Sequence, residues 1–193
     1  MNQIQNITSG KAGLSSFEAI AKRCFDIIVS TVGLALLGWL IILSAIAARI
    51  DTGKSGIFRQ KRIGRYGREF TIYKIRTMRD RQDLTSTSTV AGDPRITSLG
   101  KWLRKYKLDE LPQLWNVLRG DMSLVGPRPD VANAYSNHNL DLSLAFAVRP
   151  GITGPASLAY RHEEELLAQQ EDPEWYASHV LMPEKLRLNE EYI

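Results

Sequence analysis

An acidic pair, Asp109 and Glu110, lies in a part of the chain that is rich in cations and prolines. A carboxylate surrounded by cations can approach a phosphate that would otherwise repel it. Carboxylate attack on phosphorus is an established form of covalent catalysis. The residue types therefore indicate chemistry on a phosphate group. The cations on either side of the pair are Arg104, Lys105, Lys107 and Arg128.

The position of the pair predicts how it would work. We expect a helix over 109–118, with Pro112 in its first turn and Gly120 at its end. The positive end of the helix dipole would keep Asp109 ionised. Glu110 could assist proton transfer, or bind a Mg²⁺ ion that neutralises phosphate oxygens. Taken alone, however, two acidic residues in a first helical turn are ordinary capping residues.

Other chemically capable residues give weaker signals. Pro127 and Pro129 stiffen the backbone that presents the guanidinium of Arg128, which favours a binding role for this arginine. The histidines lack the spacing of metal ligands and have no Ser or Cys partner motif, so we expect them to be structural or exposed. Helical spacing of apolar residues predicts that Trp102 and Trp115 lie in the core.

An apolar segment upstream, residues 27–48, contains no charged residue and is long enough to cross a bilayer of roughly 30 Å. The denser basic flank follows it, so the positive-inside bias places the chain after the segment in the cytoplasm. Because the preceding flank is basic too, we expect a re-entrant helix that breaks near Gly38 and returns to the same face. The alternatives are a cleaved signal peptide and a buried core helix.

Composition sets the outer limits of the fold. A chain of 193 residues with net charge +4 accommodates one domain and a membrane element. The basic stretch over 49–81 favours anionic lipids or phosphorylated ligands, and no nucleic-acid-binding motif accompanies it, so we expect no nucleic acid partner. We predict a mobile lead over 1–16, a membrane-associated helix over 17–50 and a catalytic domain over 51–193.

The remaining pattern predicts an α+β fold that is mainly helical and contains one small β-hairpin. Glycines and polar residues separate the periodic segments. The predicted elements are strands over 56–60 and 69–75 with a turn over 64–67, a loop over 80–95, a helix over 96–106 capped by Thr97 or Ser98, a turn over 149–155, and helices over 163–170 and 183–192.

Four blocks of the chain together resemble the bacterial sugar transferases, a family of small monotopic phosphoglycosyl transferases. The third block is highly specific, and the four occur in the family's order. They are KRCFD (22–26), FRQKRIGRYGREFTIYKIRTM (58–78), LDELPQLWNVLRGDMSLVGPRP (108–129) and VRPGITG (148–154).

This resemblance implies transfer of a sugar phosphate from a UDP-sugar to polyprenol (undecaprenyl) phosphate at the bacterial inner membrane, with Mg²⁺, at the start of surface-glycan synthesis. It implies that Asp109 is the nucleophile, that it displaces UMP, and that it holds the sugar phosphate as an aspartyl intermediate. Glu110 would be the second member of the catalytic dyad. By position in the motifs, the expected phosphate or nucleotide contacts are Lys74, Arg104, Pro127, Arg128 and Arg149.

The chain departs from the family pattern at two places. Family members commonly carry a proline in the middle of the membrane helix, where this chain has Gly38 and Trp39. The sequence after Gly154 also differs, so the resemblance implies no particular sugar. Two rival functions remain open: a membrane-anchored module that binds anionic lipid or a partner enzyme, and a metal-dependent hydrolase of nucleotide sugars.

Overall fold

A computed structural model describes residues 15–80, 91–129 and 146–193. Its first element is a continuous helix, α1 (Ser16–Thr52). A capping box starts it, in which Ser15 Oγ accepts from the Glu18 amide and the Glu18 carboxylate accepts from the Ser15 amide. Gly53, in the left-handed conformation (φ 71°), ends it. Nearly all of the predicted lead, and most of the predicted loop over 80–95, lie outside the described residues.

The predicted hairpin is confirmed and is longer than expected. Strand β1 (Ile57–Ile63) pairs antiparallel with β2 (Glu69–Ile75), in a register that sets Phe58 opposite Lys74. A short 3-10 turn, Arg65–Gly67, joins the strands. The register places Lys74 near the end of β2, next to the buried Ile75.

The two helices around the acidic pair differ in how well the sequence predicted them. Helix α2 (Ser98–Lys105) is confirmed, with Thr97 Oγ1 accepting from the Gly100 amide. The predicted helix over 109–118 is wrong at its start. A 3-10 turn, Leu108–Glu110, comes first, and α3 spans Gln113–Arg119. Pro112 has no amide proton to donate to Leu108, so α-helical hydrogen bonding cannot run through this position.

A second pair of strands occupies the predicted turn over 149–155. Strand β4 (Gly151–Thr153) lies parallel to β3 (Ser123–Val125). Glycine permits this close pairing, because a Cβ on Gly151 would lie 2.2 Å from the amide nitrogen of Gly126. The Pro150-Gly151 sequence that predicted a turn therefore marks a close approach of the backbones of β4 and the segment after β3.

The remaining secondary-structure elements of the described chain are helical. They confirm the predicted helices over 163–170 and 183–192. A short π-helical turn, Ala177–Leu181, separates the last two helices. The helices are α4 (Pro155–Ala159), α5 (Glu163–Ala168), α6 (Pro173–Tyr176) and α7 (Met182–Tyr192).

Helix α1 lies along the rest of the domain rather than projecting from it. Asp26, buried near its N-terminal end, accepts a hydrogen bond from the Leu124 amide in β3 at 3.0 Å. At the other end, Asp51 accepts one from Arg79 at 3.0 Å. In between, Ala48 joins a core cluster with residues of β2 and α2. Both ends of the apolar segment therefore contact the same domain.

The opposite face of α1 is apolar and exposed. By length and composition, α1 is the one helix among the described residues that could cross a membrane. It continues through Gly38 without a break in its secondary structure, so the re-entrant course stays a prediction. Its large apolar side chains that face outward include Phe25, Ile28, Val32, Leu36, Trp39, Ile42, Leu43 and Ile46.

The core positions predicted for two tryptophans are wrong. Trp102 is 51% exposed and Trp115 is 49% exposed, and Tyr106 beside Trp102 is exposed as well. The inward positions of α2 and α3 are filled instead by Leu103 and Val117. Helical spacing identifies an apolar face, but it does not say whether protein or lipid covers that face.

Candidate active site

The acidic pair lies on the short turn between α2 and α3. Lys107, which precedes the turn, has a left-handed backbone (φ 56°), a conformation that non-glycine residues rarely adopt. This backbone turns the chain sharply, and Asp109 and Glu110 are each only 8% exposed. Both nevertheless line a large cleft with a volume of about 2120 Å³.

Glu110 is held between two cations. Lys74 Nζ lies 3.3 Å from Glu110 Oε1, and Arg128 contacts both carboxylate oxygens, one of them from Nη1 at 3.3 Å. Burial alone would raise the pKa of Glu110, but Arg128 and Lys74 outweigh it and lower the pKa to about 2. Glu110 is therefore ionised across the physiological range and fixes two cations in the cleft.

Asp109 is in a different electrostatic state. Its Oδ1 atom is shielded from solvent and has no hydrogen-bond partner in the described part of the chain. Burial, followed by the neighbouring charge of Glu110, raises the pKa of Asp109. The expected helix start at Asp109 is wrong, because Asp109 precedes α3, and burial is the largest influence on the pKa of this carboxylate. An unpaired, poorly solvated carboxylate is a strong nucleophile once ionised.

The structure brings most of the predicted phosphate contacts together. Lys74, Arg104, Pro127 and Arg128 all line the same cleft as the acidic pair. The backbone of Pro127 is fixed by β4, because its carbonyl accepts a hydrogen bond from the Gly151 amide at 2.8 Å. The cleft thus combines two carboxylates with cations from β2, α2 and the segment after β3.

Two of the predicted arginines have protein partners that the sequence did not show. Arg104 forms an ion pair with Glu164 of α5, so a phosphate would have to share or replace this carboxylate. Arg149 does not line the cleft. Its Nε donates to the Gly120 carbonyl at 2.9 Å, which satisfies a carbonyl just beyond the C-terminus of α3. The structure therefore gives Arg149 a positioning contact.

The site does not fit a Mg²⁺ ion bound through Glu110. Both oxygens of this carboxylate are occupied by Lys74 and Arg128, and a divalent cation would be repelled by them. Within the described ranges, no cluster of three His, Cys, Asp or Glu side chains could hold a metal ion. The Mg²⁺ requirement stays a prediction.

Three residues that the sequence did not single out for a role position the site. Lys22 Nζ donates to Ser123 Oγ at 2.7 Å, and Asp26 binds the next residue of β3, so the start of the membrane helix holds the strand that leads to Arg128. Asn116, fully buried, bonds the backbone of β2 just before Lys74. The sequence did contain one signal for this role of Asn116, because a polar residue among the apolar residues of a helix indicates a buried hydrogen bond.

Replacement of Asn116 by alanine should destabilise the domain. Its Nδ2 donates to the Thr71 carbonyl at 2.7 Å, and its Oδ1 accepts from the Tyr73 amide at 3.2 Å. Losing both bonds leaves buried backbone groups unpaired, so we expect the free energy of unfolding to fall by about 2–3 kcal/mol. Thermal unfolding in detergent measures this. Arg119→Gln, on the exposed side of α3, is the control, and equal stability of the two variants would contradict the role of Asn116.

Lys74 should set the alkaline limit of activity. Burial, followed by the nearby Arg128, lowers the pKa of Lys74 to about 8. Below this value the side chain is charged and can bind phosphate, so kcat/KM should fall as the pH rises through about 8. Arginine stays charged, so Lys74→Arg should move this fall to higher pH. The exposed Lys61→Arg should leave it in place, and a fall unaffected by Lys74→Arg would assign it to another group.

Comparison with known proteins shows the family of this chain. The profile of the family described as bacterial sugar transferase matches residues 17–193. The chain belongs to the bacterial sugar transferase family. The matched range includes α1 as well as the acidic pair, so both are parts of one sugar transferase domain.

Individual relatives of this sugar transferase domain differ in length. It is 43% identical over 147 residues to "Galactosyl transferase CpsE" of Streptococcus agalactiae, covering 70% of this chain and 32% of that protein. It is 41% identical over 143 residues to "UDP-glucose:undecaprenyl-phosphate glucose-1-phosphate transferase" of Caulobacter vibrioides, covering 72% of this chain and 54% of that protein. It is 36% identical over 157 residues to "Uncharacterized sugar transferase EpsL" of Bacillus subtilis, covering 81% of this chain and 77% of that protein. The chain therefore spans about a third to a half of the first two.

Proposed function

We propose that this chain transfers a sugar 1-phosphate from a UDP-sugar to undecaprenyl phosphate or a related polyprenol phosphate, releases UMP, and initiates synthesis of a polysaccharide or glycoconjugate. The observation that carries the proposal is the pairing of two unlike carboxylates in one cleft. Asp109 is buried with an unpaired oxygen, whereas Glu110 is neutralised by Lys74 and Arg128. The names of the relatives support the acceptor and the class of donor.

In the first step, an oxygen of ionised Asp109 attacks the phosphorus that carries the sugar. The bond from that phosphorus to the bridging oxygen breaks, and UMP leaves with the bridging oxygen. Lys74 and Arg128 lie beside the adjacent Glu110, where they can stabilise the negative charge that builds up on the phosphoryl oxygens. The product is a sugar phosphate bound to Asp109 as an acyl phosphate.

In the second step, a phosphate oxygen of the polyprenol phosphate attacks the same phosphorus. The bond to Asp109 breaks, and the carboxylate is released for another cycle. The acceptor is a lipid, so its phosphate must reach the cleft from the membrane. Helix α1 lies along the domain, and its exposed apolar face supports a location of the domain beside a lipid phase.

The contacts of α1 also support a location of the whole domain on one face of the membrane, and the dense basic flank after the apolar segment supports the cytoplasmic face. Both ends of the apolar segment bind the same domain, through Asp26 and Asp51, so a straight perpendicular crossing would carry the polar domain into the bilayer. A helix embedded from one side avoids this cost. The exposed Trp102, Tyr106 and Trp115 are the aromatic residues favoured at a membrane interface.

The central test is UMP release from a panel of UDP-sugars, with Mg²⁺, in the presence and absence of undecaprenyl phosphate. Sustained release that needs the lipid, with one sugar preferred, would support the transferase. Release of free sugar phosphate without lipid would instead identify a nucleotide-sugar hydrolase. No release from any donor, together with vesicle binding that depends on the basic hairpin, would favour the membrane-anchored binding module.

The topology has a separate test. In a Cys24→Ser background, a cysteine introduced at Ser9 should react with a membrane-impermeant maleimide in inverted vesicles and not in intact cells. Protease added to the same inverted vesicles should digest the catalytic domain. Labelling of the introduced cysteine from outside the cell would show that α1 crosses the membrane, and it would leave the proposed chemistry untouched.

A further inference from the structure

One side of α7 forms part of the wall of the cleft. Met182, Lys185, Leu186 and Asn189 all line it, and their spacing of three and four residues places them on a single helical face. The charge of Lys185 is matched by Glu163, at 2.5 Å. This face is therefore close to neutral, in contrast to the cationic region around the acidic pair.

Two contacts join this wall to the segment that leads to Arg128. The Tyr192 hydroxyl, at the end of α7, donates to the Val125 carbonyl of β3 at 3.3 Å. Helix α4 begins after Gly154, where an added Cβ would lie 2.3 Å from the carbonyl oxygen of Gly126. Val125 and Gly126 immediately precede Pro127 and Arg128. Helices α4 and α7 are thus anchored to the segment that presents Arg128 to Glu110.

Two polar side chains on these helices have unused hydrogen-bonding capacity. Asn189 is 8% exposed, and its Oδ1 finds no hydrogen-bond partner among the residues that the structure describes. Ser157, on α4, is only partly buried, but its Oγ is also shielded from solvent and finds no partner among these residues. Both residues line the cleft. A buried polar atom without a partner costs stability, so a native structure that keeps two in one cleft wall calls for an explanation.

We propose that Asn189 and Ser157 bind hydroxyl groups of the donor's sugar ring and thereby determine which sugar is accepted. The proposal rests on the transferase function above and names the part of the cleft that holds the uncharged portion of the substrate. An amide and a hydroxyl each offer a donor and an acceptor, which is what a sugar hydroxyl requires. Rotation about the terminal torsion of Asn189 exchanges the positions of its amide oxygen and nitrogen, so either a donor or an acceptor can be offered.

The division of charge within the cleft supports this placement. The diphosphate needs cations, which come from β2, α2 and the Arg128 segment. A sugar ring is uncharged and is recognised by hydrogen bonds, which the face of α7 can supply. The structural alternative is that Asn189 and Ser157 only help to pack α4 against α7. In that case their removal would weaken catalysis with every sugar to the same degree.

The test compares donors that differ at one hydroxyl, using the full chain in detergent or nanodiscs. UDP-glucose and UDP-galactose differ only in the orientation of the C4 hydroxyl, and UDP-N-acetylglucosamine differs from UDP-glucose at C2. We expect Asn189→Leu and Ser157→Ala each to lower kcat/KM for the preferred donor by about tenfold, and to reduce its advantage over the poorer donors. Inhibition by UMP, which lacks the sugar, should change less than about twofold.

Glu190→Gln is the matched control, because Glu190 is exposed and does not line the cleft. Equal losses for all donors, or unchanged donor ratios in both variants, would overturn the sugar-binding role while leaving the transferase intact. Failure of the wild-type chain to use any donor would instead remove the proposed function itself. Ser157→Ala deletes a single oxygen and serves as the variant least disruptive to folding.

Discussion

Replacement of Asp109 by asparagine is expected to abolish sustained UMP release, lowering kcat by at least about 10⁴-fold. Asparagine keeps the shape of the side chain, but its amide cannot form the bond to phosphorus that the proposed first step requires. The environment strengthens the expectation, because burial raises the pKa of Asp109 and leaves Oδ1 unpaired. The adjacent carboxylate, Glu110, cannot take over, since it is held by its two cations.

The covalent intermediate gives this prediction a second, independent measurement. Without the lipid acceptor, wild-type protein incubated with a UDP-sugar should gain the mass of one sugar phosphate on the peptide that contains Asp109. Asp109→Asn should gain none. Asp172→Asn is the control, since it removes an exposed carboxylate and retains the cap of α6. Near-normal turnover or labelling of Asp109→Asn would exclude the aspartyl mechanism.

Local pattern was enough to predict the elements that position the cleft. Alternation and a glycine-containing turn predicted the hairpin that carries Lys74, and Thr97 marked the start of α2. The segment without charges predicted α1. Each of these features depends on residues close together in the chain, where hydrogen-bonding periodicity and capping act directly.

The features that sequence could not supply depend on contacts between distant segments. The ionisation of Asp109 is set by burial in the folded domain, whereas the sequence showed only its position near a helix start. Arg104 and Arg149 are cations in matching motifs, yet one pairs with Glu164 and the other binds the carbonyl of Gly120. A cation-rich sequence indicates what can bind phosphate, and the fold decides which cations face the cleft.

The contact between Asp26 and β3 also matters for a membrane location of α1. Asp26, the acidic residue nearest the apolar segment, is almost fully buried because it binds the backbone of β3. A lone charge at this place would be costly in lipid, so the bond both secures α1 and shields the charge. The same contact fixes the strand that leads to Arg128. Helix α1 and the segment that carries Arg128 are therefore held as one unit.

Replacement of Glu110 by glutamine should reduce kcat/KM by about 10²- to 10³-fold, because it leaves the cations Lys74 and Arg128 side by side without their shared carboxylate. The pH profile should change in a way that distinguishes this cause. Glu110 raises the pKa of Asp109 and raises that of Lys74, so its loss should lower both. Both limbs of the kcat/KM profile should then move to lower pH.

The pH profile also separates this role from that of a metal ligand. If Glu110 bound Mg²⁺, higher Mg²⁺ concentrations should restore much of the activity of Glu110→Gln. If its part is to neutralise and orient Lys74 and Arg128, added Mg²⁺ should restore little, and both pH limbs should stay displaced. Glu69→Gln, an exposed carboxylate of β2 paired with Lys61, supplies the control and should shift neither limb. Rescue by Mg²⁺ with unmoved limbs would reverse the assignment. Extra Mg²⁺ can refill a weakened metal site, but it cannot supply the negative charge that Lys74 and Arg128 lose.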